Sequence, residues 1–331
     1  MSQAETLPAS PVKPNNALVW LARYATFAAL VALIVFNMAF TNHFLSLQTL
    51  NVNLTQVATI VIVGVGMTLV IATGGIDLSV GSLMAISGAI APIIFMSKIV
   101  KIGEIHIAVA LAMIVAVAAS GAFGWFNGWL ITRFRIQPII ATLVLFIAGR
   151  GIAQVSTNGN LQPFKLGEFQ WIGLGRWFGV PVQVVIMLVL VAAAAWVLRR
   201  SLFGRQILAI GGNERAARLA GIPVASVKRW VYCISGLCSG IAGLVVIAIN
   251  SSSDANLVGL GMELDAIAAV AVGGTLLSGG RATVVGTLIG ALIIQLVRYT
   301  LLANGVPDDV AKLVKAGLIV AAVWLQGQGK A

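Results

Sequence analysis

The stretch TGGIDLSVGSLMAISG, Thr73–Gly88, decides how this chain is read. It lies between two apolar runs and carries one of the few carboxylates beside membrane-length segments. Two consecutive glycines, Gly74 and Gly75, break the helix arriving over Val61–Ile71, because glycine is poorly held in a helix interior. Asp77 then stands where an N-cap belongs, with Ser79 and Ser82 behind it. The pattern predicts an interrupted helix: one segment ends, the backbone opens, and a second segment restarts. Inside a bilayer such a break is tolerated only where protein or a wet cavity satisfies the freed backbone groups. Broken helices of this kind commonly line a solute path.

Composition sets the surroundings. Of 331 residues, 59% are hydrophobic and 9% are charged, and the mean hydropathy is +1.01. That leaves too little polar surface for a soluble fold. Apolar runs of about 20 residues suit helices rather than the alternating strands of a barrel. The formal net charge is +11. Its basic residues cluster in particular loops, as membrane topology requires, so no nucleic-acid partner is expected. Cys233 and Cys238 lie in one apolar run and face different directions on a helix. Neither a disulfide nor a metal pair is expected of them.

The fold class is therefore an all-α integral membrane protein with about ten transmembrane helices, some of them broken. The spans are expected at Val19–Phe40, Val52–Ala72, Leu78–Met96, Ile105–Ile131, Pro138–Ser156, Val182–Leu198, Trp230–Ile249, Leu264–Leu277, Thr283–Leu302 and Val310–Leu325. The third and eighth are short or glycine-interrupted. Pro138 and Pro181 mark helix starts, where a missing N–H costs little. Pro92 should kink the third span. Residues 1–17 are polar and punctuated by proline, and read as a disordered tail before a membrane domain over residues 18–331. The first span exceeds a signal-peptide core and reads as retained.

Orientation follows from lysine and arginine. Arg133 and Arg135 share one loop, and Arg199, Arg200, Arg205, Arg215, Arg218, Lys228 and Arg229 share another. With both loops in the cytoplasm, Lys13, Arg23, Arg281 and Lys330 join them. Lys98, Lys101, Lys165, Arg176, Arg298, Lys312 and Lys315 then fall outside, and both termini are cytoplasmic. Gly124/Gly128, Gly236/Gly240 and Gly286/Gly290 repeat at four-residue spacing, which lets backbones approach closely, within this chain or against a second copy. GGIDLSVGSLMAISGAI near residue 75 echoes GGTLLSGGRATVVGTLIGA near residue 273. Two readings stay open: an internal repeat, inverted in the membrane, or chance likeness in a glycine-rich chain.

The loop Ser201–Arg229 has order of its own. Asn213 can cap a short helix, Glu214 suits its positive N-terminus, and Gly221 and Pro223 stop it. A helix of about two turns is unstable alone and must dock. It is either a lid on this chain or a helix presented to a partner.

Four segments carry a family resemblance: GMTLVIATGGIDLSVGSLMAISGA at Gly66–Ala89, IQPIIATLVLFIAGRGIAQ at Ile136–Gln154, AIGGNERAARLAGI at Ala209–Ile222, and GMELDAIAAVAVGGTLLSGGRATVVGTLIGA at Gly261–Ala291. With the spans between them, they make nearly the whole chain beyond its tail resemble the permease subunits of bacterial ABC importers for simple sugars. The Arg150 segment and Asp254–Asp265 look most like the galactofuranose-type branch. The resemblance implies a coupling loop at residues 199–229, its helix set by Gly212, Asn213, Glu214, Arg215, Ala216, Ala217, Arg218 and Gly221. It also implies a cytoplasmic ATPase subunit as partner, an extracytoplasmic sugar-binding protein, a second permease copy, identical or paralogous, and surrounding membrane lipid in the bacterial inner membrane.

The chain has no G-x-x-x-x-G-K-[ST] phosphate loop, so ATP and Mg are expected in the partner ATPase, with no cofactor, metal or catalytic residue here. No mid-membrane carboxylate has a basic relay that would carry an ion. Sugar recognition uses amide, guanidinium and carboxylate groups with flat aromatic surfaces. Phe146, Arg150 and Gln154 share one face of the fifth span and are pathway candidates, as are Asp77, Trp125 and Asn127. Arg150 is alternatively a structural ion pair with Glu263 or Asp265, and Asp77 a helix cap. The loop Ser251–Glu263 offers Asp254, Asn256 and Glu263 to a binding protein, or is an ordinary connection. The rival classes are an ATP-independent sugar facilitator or secondary transporter, and an intramembrane enzyme, for which no paired catalytic constellation is present.

Overall fold

The computed structural model describes residues 16–96 and 105–328. The tail up to residue 15, together with Lys13, Lys98, Lys101 and Lys330, lies outside the described residues. The chain opens with α1 (Asn16–Phe40), α2 (Leu47–Ala72), α3 (Val80–Met96), α4 (Ile105–Phe134) and α5 (Pro138–Ser156). A short excursion follows: β1 (Gln162–Pro163), α6 (Gly167–Leu174), β2 (Arg176–Trp177) and β3 (Val180–Pro181). Next come α7 (Val182–Arg200), α8 (Leu202–Gly212), α9 (Glu214–Leu219) and α10 (Val224–Asn250). The last elements are β4 (Ser252–Ser253), α11 (Met262–Val272), α12 (Val284–Ala303) and α13 (Asp308–Gln328).

Over the described residues, α2, α4, α5, α7, α10 and α12 are long and apolar enough to cross a membrane. The ten expected spans thus divide into six full-length helices and a remainder. The eighth, expected over Leu264–Leu277, is an 11-residue helix, α11. Beyond it a turn at 273–283 sends the chain back into α12, because glycine and loop chemistry override the apolar composition that suggested a longer helix.

The centre of the bundle is α2. Every residue from Val57 to Ala72 is buried, so this helix is apolar all round because protein surrounds it all round. By contrast α5 buries only one edge, through Ala141, Thr142, Leu145, Gly149 and Ala153. Lipid is as apolar as leucine, so close packing and interhelical hydrogen bonds hold such helices together. Glycine supplies the packing. Gly124 and Gly128 of α4 lie against Tyr232 and Arg229 of α10, and Gly236 and Gly240 answer against Ser120. Gly286 and Gly290 do the same for α12 against Gly273 and Ala269. All three glycine pairs therefore serve packing within this chain. Polar pairs add to it: the Thr68 and Thr287 hydroxyls meet at 2.7 Å. Gln295 donates to Gln56 at 2.5 Å, and Gln183 to Thr55 at 2.9 Å. Each such bond is worth about 0.6–2 kcal/mol.

The same contacts fix direction. Residues 68 and 287, and 49 and 299, face each other, so α2 and α12 run antiparallel. Gly273 lies on Gly286 and Ala269 on Gly290, so α11 and α12 are antiparallel too. Asp77 meets Ser235 and Gly88 meets Ile247, which makes α3 parallel to α10. The pairs α2–α3 and α11–α12 are hence two hairpins pointing the same way. The inverted relation expected from sequence does not relate these two breaks.

The cysteines are free, Cys238 buried and Cys233 partly so. At the end of the bundle away from the two breaks, Gln162 pairs with Ser253, tying the segment after α5 to the loop after α10.

Candidate functional site

The two glycine breaks are built alike. Gly74 donates to the Ile71 carbonyl at 2.9 Å and Gly75 to that of Val70 at 3.2 Å, closing α2. Gly274 donates to Ala271 at 2.9 Å and Thr275 to Val270 at 3.2 Å, closing α11. Gly74 and Gly274 both take left-handed φ, +78° and +82°, which L side chains resist. The structural equivalence is Gly74 with Gly274, one residue away from the sequence match. The breaks also touch, through Gly74 and Gly279.

In the first break the freed polar groups are satisfied by protein. Asp77 is fully buried. Its Oδ1 accepts the Ser79 N–H at 3.0 Å and the Ser79 hydroxyl at 2.6 Å, and its Oδ2 accepts the Ser235 hydroxyl at 2.8 Å. Asn127 Nδ2 donates to Ser79 Oγ at 3.0 Å. The Ile76 carbonyl accepts from Tyr232 and Thr142, both at 3.4 Å. Asp77 does not sit at the N-cap position expected of it. The Ser79 carbonyl takes the first helical bond, from Leu83, and Asp77 instead closes the turn before it. Asn127 Oδ1 is buried without a protein partner.

Arg150 organises the far side of α3. Its Nη1 donates to the carbonyls of Val258 at 2.5 Å and Ala255 at 3.0 Å, and its Nη2 to that of Gly81 at 3.5 Å. The guanidinium thus clasps the 255–258 loop against the start of α3. The alternative ion pair does not form: Asp265 pairs with Lys315, and Glu263 is not in ion-pair contact with Arg150. Gln154, one turn on, donates to Asn256 at 2.8 Å, and Phe146 is half-buried on the same face. Trp125, two residues from Asn127, is 38% exposed and is not brought to the Asp77 cluster by any hydrogen bond. Asp254 accepts from the N–H and side-chain amide of Asn256 at the surface, at 2.8 and 2.9 Å. Glu263 is buried, with Oε2 unpartnered next to Gly81.

The third part is an elbow. Ser201 caps α8 through the Gly204 N–H at 2.9 Å, and Ile207 and Ile210 bury one face of it. The C-terminal end of α8 drives between the two breaks. Gly280 donates to the Ala72 carbonyl at 3.1 Å, and Gly211 lies so close to both that a side chain there would overlap them. Asn213 then caps α9 through the Ala216 N–H at 3.0 Å. Gly221, at φ +80°, and Ile222 close it on Arg218 and Ala217 at 3.1 Å each. Glu214 binds Lys228 at 2.6 Å and Arg218 at 3.0 Å. Partial burial raises the carboxyl, but Lys228 first and Arg218 second outweigh it and hold Glu214 below the usual range. Ala217 packs inward, while Arg215, Ala216 and Leu219 face out. Sequence reasoning missed Gly211, Gly280 and Ser235. Ser235, like Ser239, is a polar residue in an apolar run, and Phe203, Ile207 and Ile210 repeat at helical spacing, which marks α8 though not Gly211.

Residues 49–323 match the family described as branched-chain amino acid transport system / permease component. The ribose import permease protein RbsC of Escherichia coli (strain K12) is 42% identical over 93% of this chain and 95% of its own. RbsC of Bacillus subtilis (strain 168) is 42% identical over 82% of each chain. The galactofuranose transporter permease protein YtfT of Escherichia coli (strain K12) is 39% identical over 83% of this chain and 78% of its own. No solved structure matches. This chain belongs to the branched-chain amino acid transport system / permease component family.

Proposed function

We propose that this chain is the membrane-spanning permease subunit of an ATP-driven importer that carries a monosaccharide into the cytoplasm by alternating access. The observation that carries the mechanism is the wedge at Gly211, where an elbow able to meet a partner touches both broken hairpins at once. ATP binding in a separate cytoplasmic ATPase, which would hold the nucleotide and Mg, pushes on α9. The push reaches Ala72 and Gly280 through α8 without slack, because no side chain intervenes. The hairpins then tilt and exchange outward for inward access. In this reading residues 199–229 form the cytoplasmic coupling loop, with both termini on the same side. Of the ten proposed spans, α3 and α11 cross only part of the bilayer.

Residues Gly212 to Arg218 and Gly221 set the coupling helix, with Arg215, Ala216 and Leu219 reaching the ATPase. Arg150, Gln154 and Phe146 border the sugar path, with Asp77 and Asn127 bracing its broken wall. Asp254 and Asn256 meet an extracytoplasmic sugar-binding protein, and Glu263 steadies that loop from beneath. Trp125, exposed on α4, faces lipid or a second permease copy. The sugar class follows from the relatives, which are ribose, galactofuranose, fructose and arabinose permeases.

The test is uptake of labelled ribose, arabinose and galactofuranose into cells with and without the cognate ATPase. Uptake that disappears with the ATPase supports the reading. Uptake that persists would favour an ATP-independent facilitator.

A further inference from the structure

A cavity of about 790 Å³ opens at the elbow end, between the α4–α5 connection and the start of α10. Five cations line it: Arg133, Arg135, Arg218, Lys228 and Arg229, against one carboxylate, Glu214. That carboxylate is already taken by Lys228 and Arg218. Arg133, Arg135 and Arg229 have no carboxylate partner among the described residues, and only Arg229 has a hydrogen bond among them, to the Ala225 carbonyl at 3.1 Å. Converging unpaired cations repel each other, and a concave site concentrates their field on an anion. A neutral sugar can take hydrogen bonds from such a site but cannot offset its charge.

The neighbouring stretches of α4 and α5 say which anion. The last turns of α4 carry an aromatic run: Phe126 stacks on Trp129 at 5.8 Å, and Trp129 meets Phe134 edge-on at 5.3 Å. Phe126 and Phe134 remain exposed. Trp129 between them is half-buried, and tryptophan is enriched at the headgroup level of a bilayer. Pro138 lines the cavity, and beyond it exposed Ile139, Ile140, Leu143 and Val144 continue along α5. The cationic cavity thus stands at the start of the helix that carries this exposed apolar row. This matches a molecule with an anionic head and hydrocarbon tails, and basic pockets between membrane helices take acidic lipid headgroups.

We propose that this cavity binds the phosphate headgroup of an acidic phospholipid, whose acyl chains lie along the exposed face of α5. The site lies beside the elbow but does not depend on the transport reading.

The test is native mass spectrometry of the full chain in detergent with equimolar phosphatidylglycerol and phosphatidylcholine. Selective retention of phosphatidylglycerol is expected, with affinity about 30-fold lower in Arg133→Ser/Arg135→Ser, as two basic contacts are lost. Arg133→Lys/Arg135→Lys should retain the lipid, and thermal unfolding of both variants separates lost binding from lost fold. Glycerol phosphate and inorganic phosphate should not displace the lipid. Equal retention of both lipids, or unchanged retention in the folded serine variant, overturns the proposal. Displacement by free phosphate would assign the site to a soluble anion and overturn it too, as would loss of ATPase binding in the serine variant with lipid retention intact.

Discussion

Gly280 donates its backbone N–H to the carbonyl oxygen of Ala72, 3.1 Å away, and so fastens the second glycine break to the end of the helix that enters the first. Each helix end normally leaves carbonyls without a helical partner. Here one of them becomes the joint between two hairpins. Gly280 sits at φ +77°, with Gly212 against it. Replacing Gly280 with alanine should cost about 1–2 kcal/mol from the left-handed backbone alone, and more from the contact with Gly212. Thermal unfolding in detergent should show a clear drop. An unchanged melting temperature would mean that the joint is looser than the structure has it.

The Asp77 carboxylate accepts three hydrogen bonds and reaches no solvent. Asp77→Ala leaves those donors unanswered and should destabilise by about 2–3 kcal/mol. Asp77→Asn keeps one acceptor oxygen and should fall between alanine and the native chain. If Asp77 braces the wall, the asparagine variant should lower the maximal uptake rate more than it alters the sugar KM. A change confined to KM would instead make Asp77 a sugar contact.

Arg150 holds a loop by its carbonyls, so its contribution is positional. Arg150→Met keeps the length and apolar stem but removes the fork. Loss of charge-assisted bonds predicts destabilisation of about 2–3 kcal/mol. Hydrogen exchange should rise first at residues 255–258, before any change around α9. Exchange that rises equally everywhere would contradict a local clasp.

Glu214 supplies a pH dependence. Its carboxyl lies below the usual range when folded, so its ion pairs stabilise the elbow above the unfolded pKa, near 4.5, and lose that contribution as pH falls through the lower folded value. The pairs are partly exposed, so the gain is about 0.5–1 kcal/mol. Native and Glu214→Gln chains should therefore converge in stability on acidification below pH 4.5. A difference that persists or widens there would exclude these pairs as its source.

The sequence made the membrane class plain, since nothing else fits so few charged residues. It also revealed the end of α2 at Gly74, though as an interrupted helix and not as the hairpin that α2 and α3 make, and it revealed the cap at Asn213 and the stop at Gly221, because glycine, proline and asparagine act locally. It did not reveal that α11 ends at Val272, since apolar composition runs on to Leu277 while φ reverses at Gly274. Nor could it give the direction of the repeat. That depends on which residues face each other across helices, as Thr68 faces Thr287, and pairing at that separation leaves no mark in local pattern. Arg150 read as costly in a membrane and in need of a partner, and its partners are backbone carbonyls, which carry no residue identity to find. Gly211 was hidden among the many glycines, because its role lies in what it excludes.

If the elbow pushes both breaks through Gly211, Gly211→Val should interrupt that push. The variant should be reconstituted with its ATPase and binding protein in proteoliposomes, with sugar uptake and ATP hydrolysis measured together. A side chain at 211 must displace the Ala72–Gly280 joint, so the expected result, in protein that still unfolds cooperatively and retains its ATPase, is lost uptake with hydrolysis that no longer responds to sugar. Normal, sugar-stimulated uptake with valine at this position would contradict it.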